Sequence, residues 1–298
     1  MKKIAKLLGS LIILTSLVAC QDLGAEIPAA DAEKQQAKIL EKAEDKAPKI
    51  YSLNVSYNAS SKLDIASDTS LVENAVNSNN SGSGKLYSAF NVNKLYAYSS
   101  IKTQSSSKSG SSSEKENMIS EDWLYYKDGS LYEVSHTKEN DKETKAYTAT
   151  KMSEDDAKEY FKFEVLQDLY YSYLDLNAFK QMASAISGES QVESYVGIGA
   201  SKIKTEEKYY SKGDGNLSYT AKATGSYSEK LYGSFKYNFS FTTTIDSYSF
   251  SKASMSLSLS LKDDKGKENV AMKAGLSANA GRSCSVAYPD LKAYTESK

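Results

Sequence analysis

Apolar side chains recur at every second position along most of this chain. Tyr51, Leu53, Val55 and Tyr57 alternate with Ser52, Asn54 and Ser56, which is the period of a strand with one face buried and the other wet. Leu86, Phe90, Val92, Leu95, Tyr96 and Tyr98 predict one or two strands across residues 85–102. The clearest turn is Asp128-Gly129, which follows Trp123-Leu124-Tyr125-Tyr126-Lys127 and precedes Ser130-Leu131-Tyr132. That dipeptide accepts the positive φ angles of a two-residue hairpin, so a return strand to about Thr137 is expected. The charged residues 138–145 predict another turn, with 146–150 pairing back. Towards the end the alternation sets in four times: at Leu217, Tyr219, Ala221 and Ala223; at Phe235, Tyr237, Phe239 and Phe241; at Met255, Leu257, Leu259 and Leu261; and from Val270 to Ala278 in steps of two. Four such strands predict an antiparallel meander with one apolar face.

In the middle the period lengthens. Ser153, followed by Glu154, Asp155 and Asp156, has the pattern of a helix start, and Ala157, Tyr160, Phe161, Val165, a Leu-Tyr pair at 169–170 and Leu174 give a helical stripe. Asp175 is placed to cap a second helix whose Leu176, Phe179, Met182, Ala183 and Ile186 share a side, with Gly188 as its stop. The expected fold is α+β: a curved antiparallel sheet, half-open and barrel-like, partly covered by two helices, in a single domain over residues 50–298. Two polar tracts, 66–84 and 104–115, are expected as loops, the second of them mobile, because their Ser, Asn, Asp and Gly have little to bury.

The first residues have a different character. Lys2, Lys3 and Lys6 precede an apolar run at 7–18, which ends in Leu17-Val18-Ala19-Cys20. This resembles the signal peptide of bacterial lipoproteins. The resemblance implies cleavage before Cys20, lipid attachment to Cys20, and a tether to a bacterial membrane with the domain on the extracytoplasmic side. Residues 1–19 are then absent from the mature protein. Residues 20–49 are read as anchor and flexible stalk, although their Ala, Glu and Lys also suit a short helix at 31–46.

Composition and charge narrow the chemistry. The formal net charge is −1, and loss of the leader's three lysines makes it about −4, so no positive field draws nucleic acid to the protein. There are 23 Tyr but only 2 Cys. With Cys20 acylated, Cys284 has no intramolecular partner and reads as a small core residue. No second apolar stretch is long enough for a membrane span. His136 is the one histidine, which excludes a multi-histidine metal centre. Gly-x-Ser-x-Gly is missing, Gly197-Ile198-Gly199 is too little for a phosphate loop, and Asp263, Asp264 and Glu268 read as a charged turn. Neither an enzyme, a cofactor nor a metal is expected.

The aromatic excess is the remaining chemical signal. Tyrosine offers apolar area with a hydroxyl at one end. Tyr125, Tyr132, Phe161, Phe179, Met182, Phe239 and Leu257 are the candidate lining of an interior cavity, against the plainer reading of ordinary burial between sheet and helices. The order of elements over residues 50–290 — the Asp128-Gly129 hairpin, the helices at 153–187 and the closing meander — resembles the half-open barrels of bacterial lipoprotein carriers and of mycobacterial-type lipid-binding lipoproteins. That resemblance implies an apolar interior that takes acyl chains, hence a lipid or other hydrophobic ligand. The alternative is a cell-surface or envelope interaction or adhesion module whose Tyr- and Ser-rich loops meet a partner protein. Continuous internal volume favours the first, a packed core the second.

Overall fold

A computed structural model of the protein describes residues 22–65, 76–166, 170–187, 203–229, 233–284 and 286–297. The leader, Cys20 and Gly188 lie outside these. Thirteen strands form one sheet: β1 (Ala25–Ile27), β2 (Ile50–Ile65), β3 (Val76–Asn91), β4 (Tyr96–Ser109), β5 (Ser112–Lys127), β6 (Ser130–Glu139), β7 (Lys142–Lys151), β8 (Ile203–Ser211), β9 (Leu217–Glu229), β10 (Gly233–Asp246), β11 (Ser249–Lys262), β12 (Glu268–Gly281) and β13 (Thr295–Glu296). Among the described residues three α-helices accompany them: α1 (Ala29–Lys46), α2 (Glu154–Tyr160) and α3 (Leu176–Ser187), with a π-helical turn, Phe161–Val165, continuing α2. The strand order is β1-β8-β9-β10-β11-β12-β2-β3-β4-β5-β6-β7-β13. Two meanders, β8–β12 and β2–β7, are thus joined where β12 pairs with β2, and every pairing is antiparallel except β13 on β7. The sheet is curved and is not closed into a barrel among the described residues. The helical segments around 154–187 cover part of it, as the sequence leads one to expect.

The expected local signals operate. Asp128 and Gly129 have φ of 50° and 73°, as the turn between β5 and β6 requires. Ser153 Oγ accepts from the Asp156 N–H at 3.2 Å, and Asp175 Oδ1 accepts from the Asn177 N–H at 2.9 Å. On β10, Phe235, Tyr237, Phe239 and Phe241 are all buried, facing Leu261, Leu259, Leu257 and Met255 across β11. Ala157, Phe161, Val165, Leu174 and Ala183 from the helical region meet this face.

Two expectations are overturned. Residues 22–49 are no flexible stalk. Asp22 pairs with Lys212 at 2.9 Å, β1 adds to β8, and α1 buries Ala32, Gln36, Ile39 and Ala43 in the main core. Gln35 Nε2 donates to Ser211 Oγ at 2.8 Å, and Gln36 Nε2 donates to the Leu174 carbonyl at 2.6 Å. The apolar stripe of α1 is narrow and mostly alanine, which is why its burial is hard to read from composition.

The polar tracts are the second correction, for 76–84 and 104–115; residues 66–75 lie outside the described residues. Residues 76–84 belong to β3, and 104–115 run through β4 and β5 with only a turn at Ser109–Ser112 between them. Their backbones complete full ladders with β2 and with each other. Ser81 and Ser106 link their hydroxyls at 2.8 Å. Tyr57 lies across the backbone of its cross-strand partner Gly84, occupying the space a Cβ would need.

Candidate functional site

The proposed cavity residues do not surround one space, because strand periodicity sends them to opposite faces of the sheet. Phe161, Phe239 and Leu257 are buried in the main core, and Phe179 stacks on Phe241 and Phe250 with ring centroids 5.8 and 6.1 Å apart. Met182 lies on the same helix, α3, and its side chain is outside the described set. Tyr125 and Tyr132 belong to a second cluster on the other side of the sheet. The sequence supplies both sets of apolar residues, but only strand register separates them. A third region, a cleft of about 210 Å³ lined by Asp246, Ser247, Ser249, Phe250, Ser251, Ala280, Gly281 and Arg282, is smaller than the roughly 300–1,000 Å³ of small-molecule sites.

The second cluster is an ordered array on β4–β7. Tyr96, Tyr125, Tyr132 and Ala149 are register partners in one row, and Tyr98, Trp123, Val134 and Tyr147 in the next. Tyr125 stacks on Tyr132 at 5.1 Å, and Tyr98 meets Trp123 at 5.2 Å. Residues 282–284 and 286–297 cross this face as a strap. Tyr288 sits edge-on to Tyr96 and Tyr125 at 5.3 and 4.8 Å, while Tyr294 sits edge-on to Trp123 at 6.4 Å. Cys284, Val286 and Leu291 also pack here. The strap ends as β13 on β7, where the Ser297 N–H donates to the Tyr147 carbonyl at 2.8 Å.

The next row is polar: Ser100, Glu121, His136 and Lys145. His136 presents Nδ1 to Glu121 at 3.0 Å and Nε2 to Glu143 at 2.8 Å. Only the doubly protonated imidazole donates to both carboxylates. The Tyr98 hydroxyl donates to Glu121 at 2.8 Å, and Lys145 lies 3.0 Å from Glu143. Burial alone would raise the Glu121 carboxyl, but hydrogen bonds from Tyr98 and His136 and the charge of Lys102 hold it below its ordinary range. Lys145, and then His136, do the same for Glu143.

Burial pushes the Tyr98 and Tyr125 hydroxyls up to about 12, and raises Tyr96 and the Cys284 thiol, so these groups stay protonated at neutral pH. His136 has both nitrogens engaged by carboxylates within the sheet. Two donors under the strap, the Tyr96 hydroxyl and Trp123 Nε1, are buried without a hydrogen-bond partner among the described residues. Each such group costs about 1–3 kcal/mol. The sequence singles out His136 and the tyrosines, yet neither the rows nor the strap over them can be read without the pairing register.

A different surface lies at the far ends of β3–β5. From Gln104 to Asn117 no residue is buried, and all but Ser106 are exposed. Asn77 to Ser83 on β3 are likewise unburied. These stretches of β3–β5 form a polar arm that is solvent-accessible on both faces.

No family model matches the chain, and no curated protein matches it. Among solved structures it is similar to the translocator domain of an autotransporter, NalP from Neisseria meningitidis. The identity is 8%, the match covers 85% of this chain and 96% of that one, and the TM-score is 0.21. A likeness of that size bears on neither fold nor activity.

Proposed function

We propose that the protein is a lipid-tethered, non-catalytic interaction module of a bacterial envelope, which meets a partner through the polar arm of β3–β5. The observation that carries this reading is that the arm is wet on both faces. The stretches 77–83 and 104–117 of β3–β5 bury no residue and add no hydrophobic stabilisation of their own, so packing gives no reason for the length of these strands. Their Ser, Asn, Thr, Gln, Lys and Glu side chains offer donors and acceptors to a hydrated interface. An interior acyl-chain site has less support, since the candidate lining is divided between two faces and packed on its neighbours.

The tether adds an orientation. With Cys20 acylated, Gln21 alone separates the anchor from Asp22, and two residues reach at most about 7 Å. β1 and β8 are therefore held next to the membrane. Along the sheet, β2 is the fifth neighbour of β8 and β7 the tenth, so the arm and the β7 edge are far from the anchor in sheet order.

Three measurements test the reading. Intact mass and fractionation should show loss of residues 1–19 and added lipid, both abolished in Cys20→Ala. Immobilised full-length protein should capture an envelope protein, and shortening the β4–β5 hairpin equally on both strands should abolish capture without lowering the melting temperature. Capture unchanged by that shortening removes the arm from the interface. Lipid that co-purifies with the protein in a fixed ratio overturns the reading in favour of a lipid carrier.

A further inference from the structure

The strap is an extended peptide seated on an aromatic face, and its seat is incompletely used. Of the ten residues of β7, only Ala146 and Tyr147 pair with β13. No other strand pairs with the remaining outer edge among the described residues, which leaves backbone donors and acceptors for addition of a longer strand. Below the strap, Trp123 Nε1 and the Tyr96 hydroxyl are buried and without a hydrogen-bond partner among the described residues, although strap tyrosines lie against both rings. A polypeptide that placed carbonyl or carboxylate oxygens over them would complete what the strap leaves undone.

The charge of the edge selects the occupant. β7 carries Lys142, Lys145 and Lys151 against Glu143, and Lys145 is engaged by Glu143. Lys142 and Lys151 are exposed, with no ion pair among the described residues. Two copies of this edge repel one another, whereas an acidic strand is attracted. We infer that the β7 edge and the aromatic rows beside it form a docking site for an extended acidic segment of a partner protein. The segment displaces the strap and adds to β7 in the parallel direction that β13 takes. The site shares no residue with the polar arm, so failure of either proposal leaves the other standing.

Trp123 is the one tryptophan of the chain, and its emission reports directly on the seat. The probe is a fluorescein-labelled synthetic peptide of strap residues 284–297 carrying Lys292→Glu, titrated into full-length protein. We expect saturable binding, with Trp123 emission changing over the same range. Affinity should fall about tenfold when Lys142→Glu and Lys151→Glu are combined, and the difference should shrink in high salt. Tyr288→Ser, at a position 49% exposed, should loosen the strap and tighten probe binding about tenfold by raising the open fraction. Equal affinity in the charge-reversed protein overturns the proposal, as does binding that leaves Trp123 emission unchanged. Absence of saturable binding to both the unaltered and the Tyr288→Ser proteins overturns it as well. Should Tyr288→Ser fail to fold, the two exposed lysines still decide the outcome.

Discussion

Gly84 shows how one side chain can fix another's identity. Its Cβ position is filled by the ring of Tyr57, while its own φ lies outside the left-handed region. The requirement for glycine there is one of space. Gly84→Ala should therefore destabilise the protein by about 1–3 kcal/mol in urea unfolding, and should be nearly neutral when Tyr57→Ala has already removed the ring. Glu121 makes a second prediction at this scale. Its carboxyl titrates below its ordinary value of 4.5 because Tyr98 and His136 favour the ionised form over the cost of burial. A depressed carboxyl contributes stability above its unfolded-state value and loses it as pH falls through the lower folded value. The urea midpoint should drop below about pH 4.5 in the unaltered protein, and Glu121→Gln should flatten that part of the profile. An unchanged profile in Glu121→Gln would assign the acid sensitivity to other carboxylates.

At the scale of elements, α1 has the largest structural consequence. Ile39 is fully buried within a helix whose other inward residues are mostly small, so it is the main apolar anchor between α1 and the sheet. Ile39→Ala should cost about 2–5 kcal/mol, lowering the melting temperature on the order of 5–15 °C by calorimetry. A change under 1 °C would mean that α1 is loosely held after all. The arm makes the opposite point. There the ladders are complete but both faces are solvated, so hydrogen bonding and register alone keep the strands extended. Long strands therefore need no apolar alternation where neighbouring strands supply the edges.

For the whole molecule, the two-meander sheet has a direction. One end carries β1 and β8, beside the residue expected to hold the lipid, and the other carries β7 and the strap. Single cysteines labelled with a fluorophore at Lys212 and at Lys142 should separate these ends once the protein is bound to vesicles. A quencher attached to lipid headgroups should dim the label at position 212 strongly and the label at 142 little. Equal quenching at both positions would bring the β7 edge down to the membrane and away from a partner beyond it.

Local physical chemistry made much of this architecture legible in the sequence. The alternation at Phe235–Phe241 and Met255–Leu261, the Asp128-Gly129 turn and the Ser153 and Asp175 caps depend on contacts within a few residues, so their elements appear where the pattern puts them. Tertiary structure decided what depends on distant partners. The join of β12 to β2 gives the sheet its order, and register divides Tyr125 and Tyr132 from Phe161 and Phe239. Docking also converts an alanine-rich segment into part of the core, because Ile39 finds a surface that composition does not announce. Strand pairing gives Ser105-Ser106-Ser107 an extended form, since each backbone N–H and C=O is satisfied by a neighbouring strand irrespective of side-chain polarity. The seat of the strap was decided in the same way: Tyr288 and Tyr294 are ordinary tyrosines until β4–β7 align the rings beneath them.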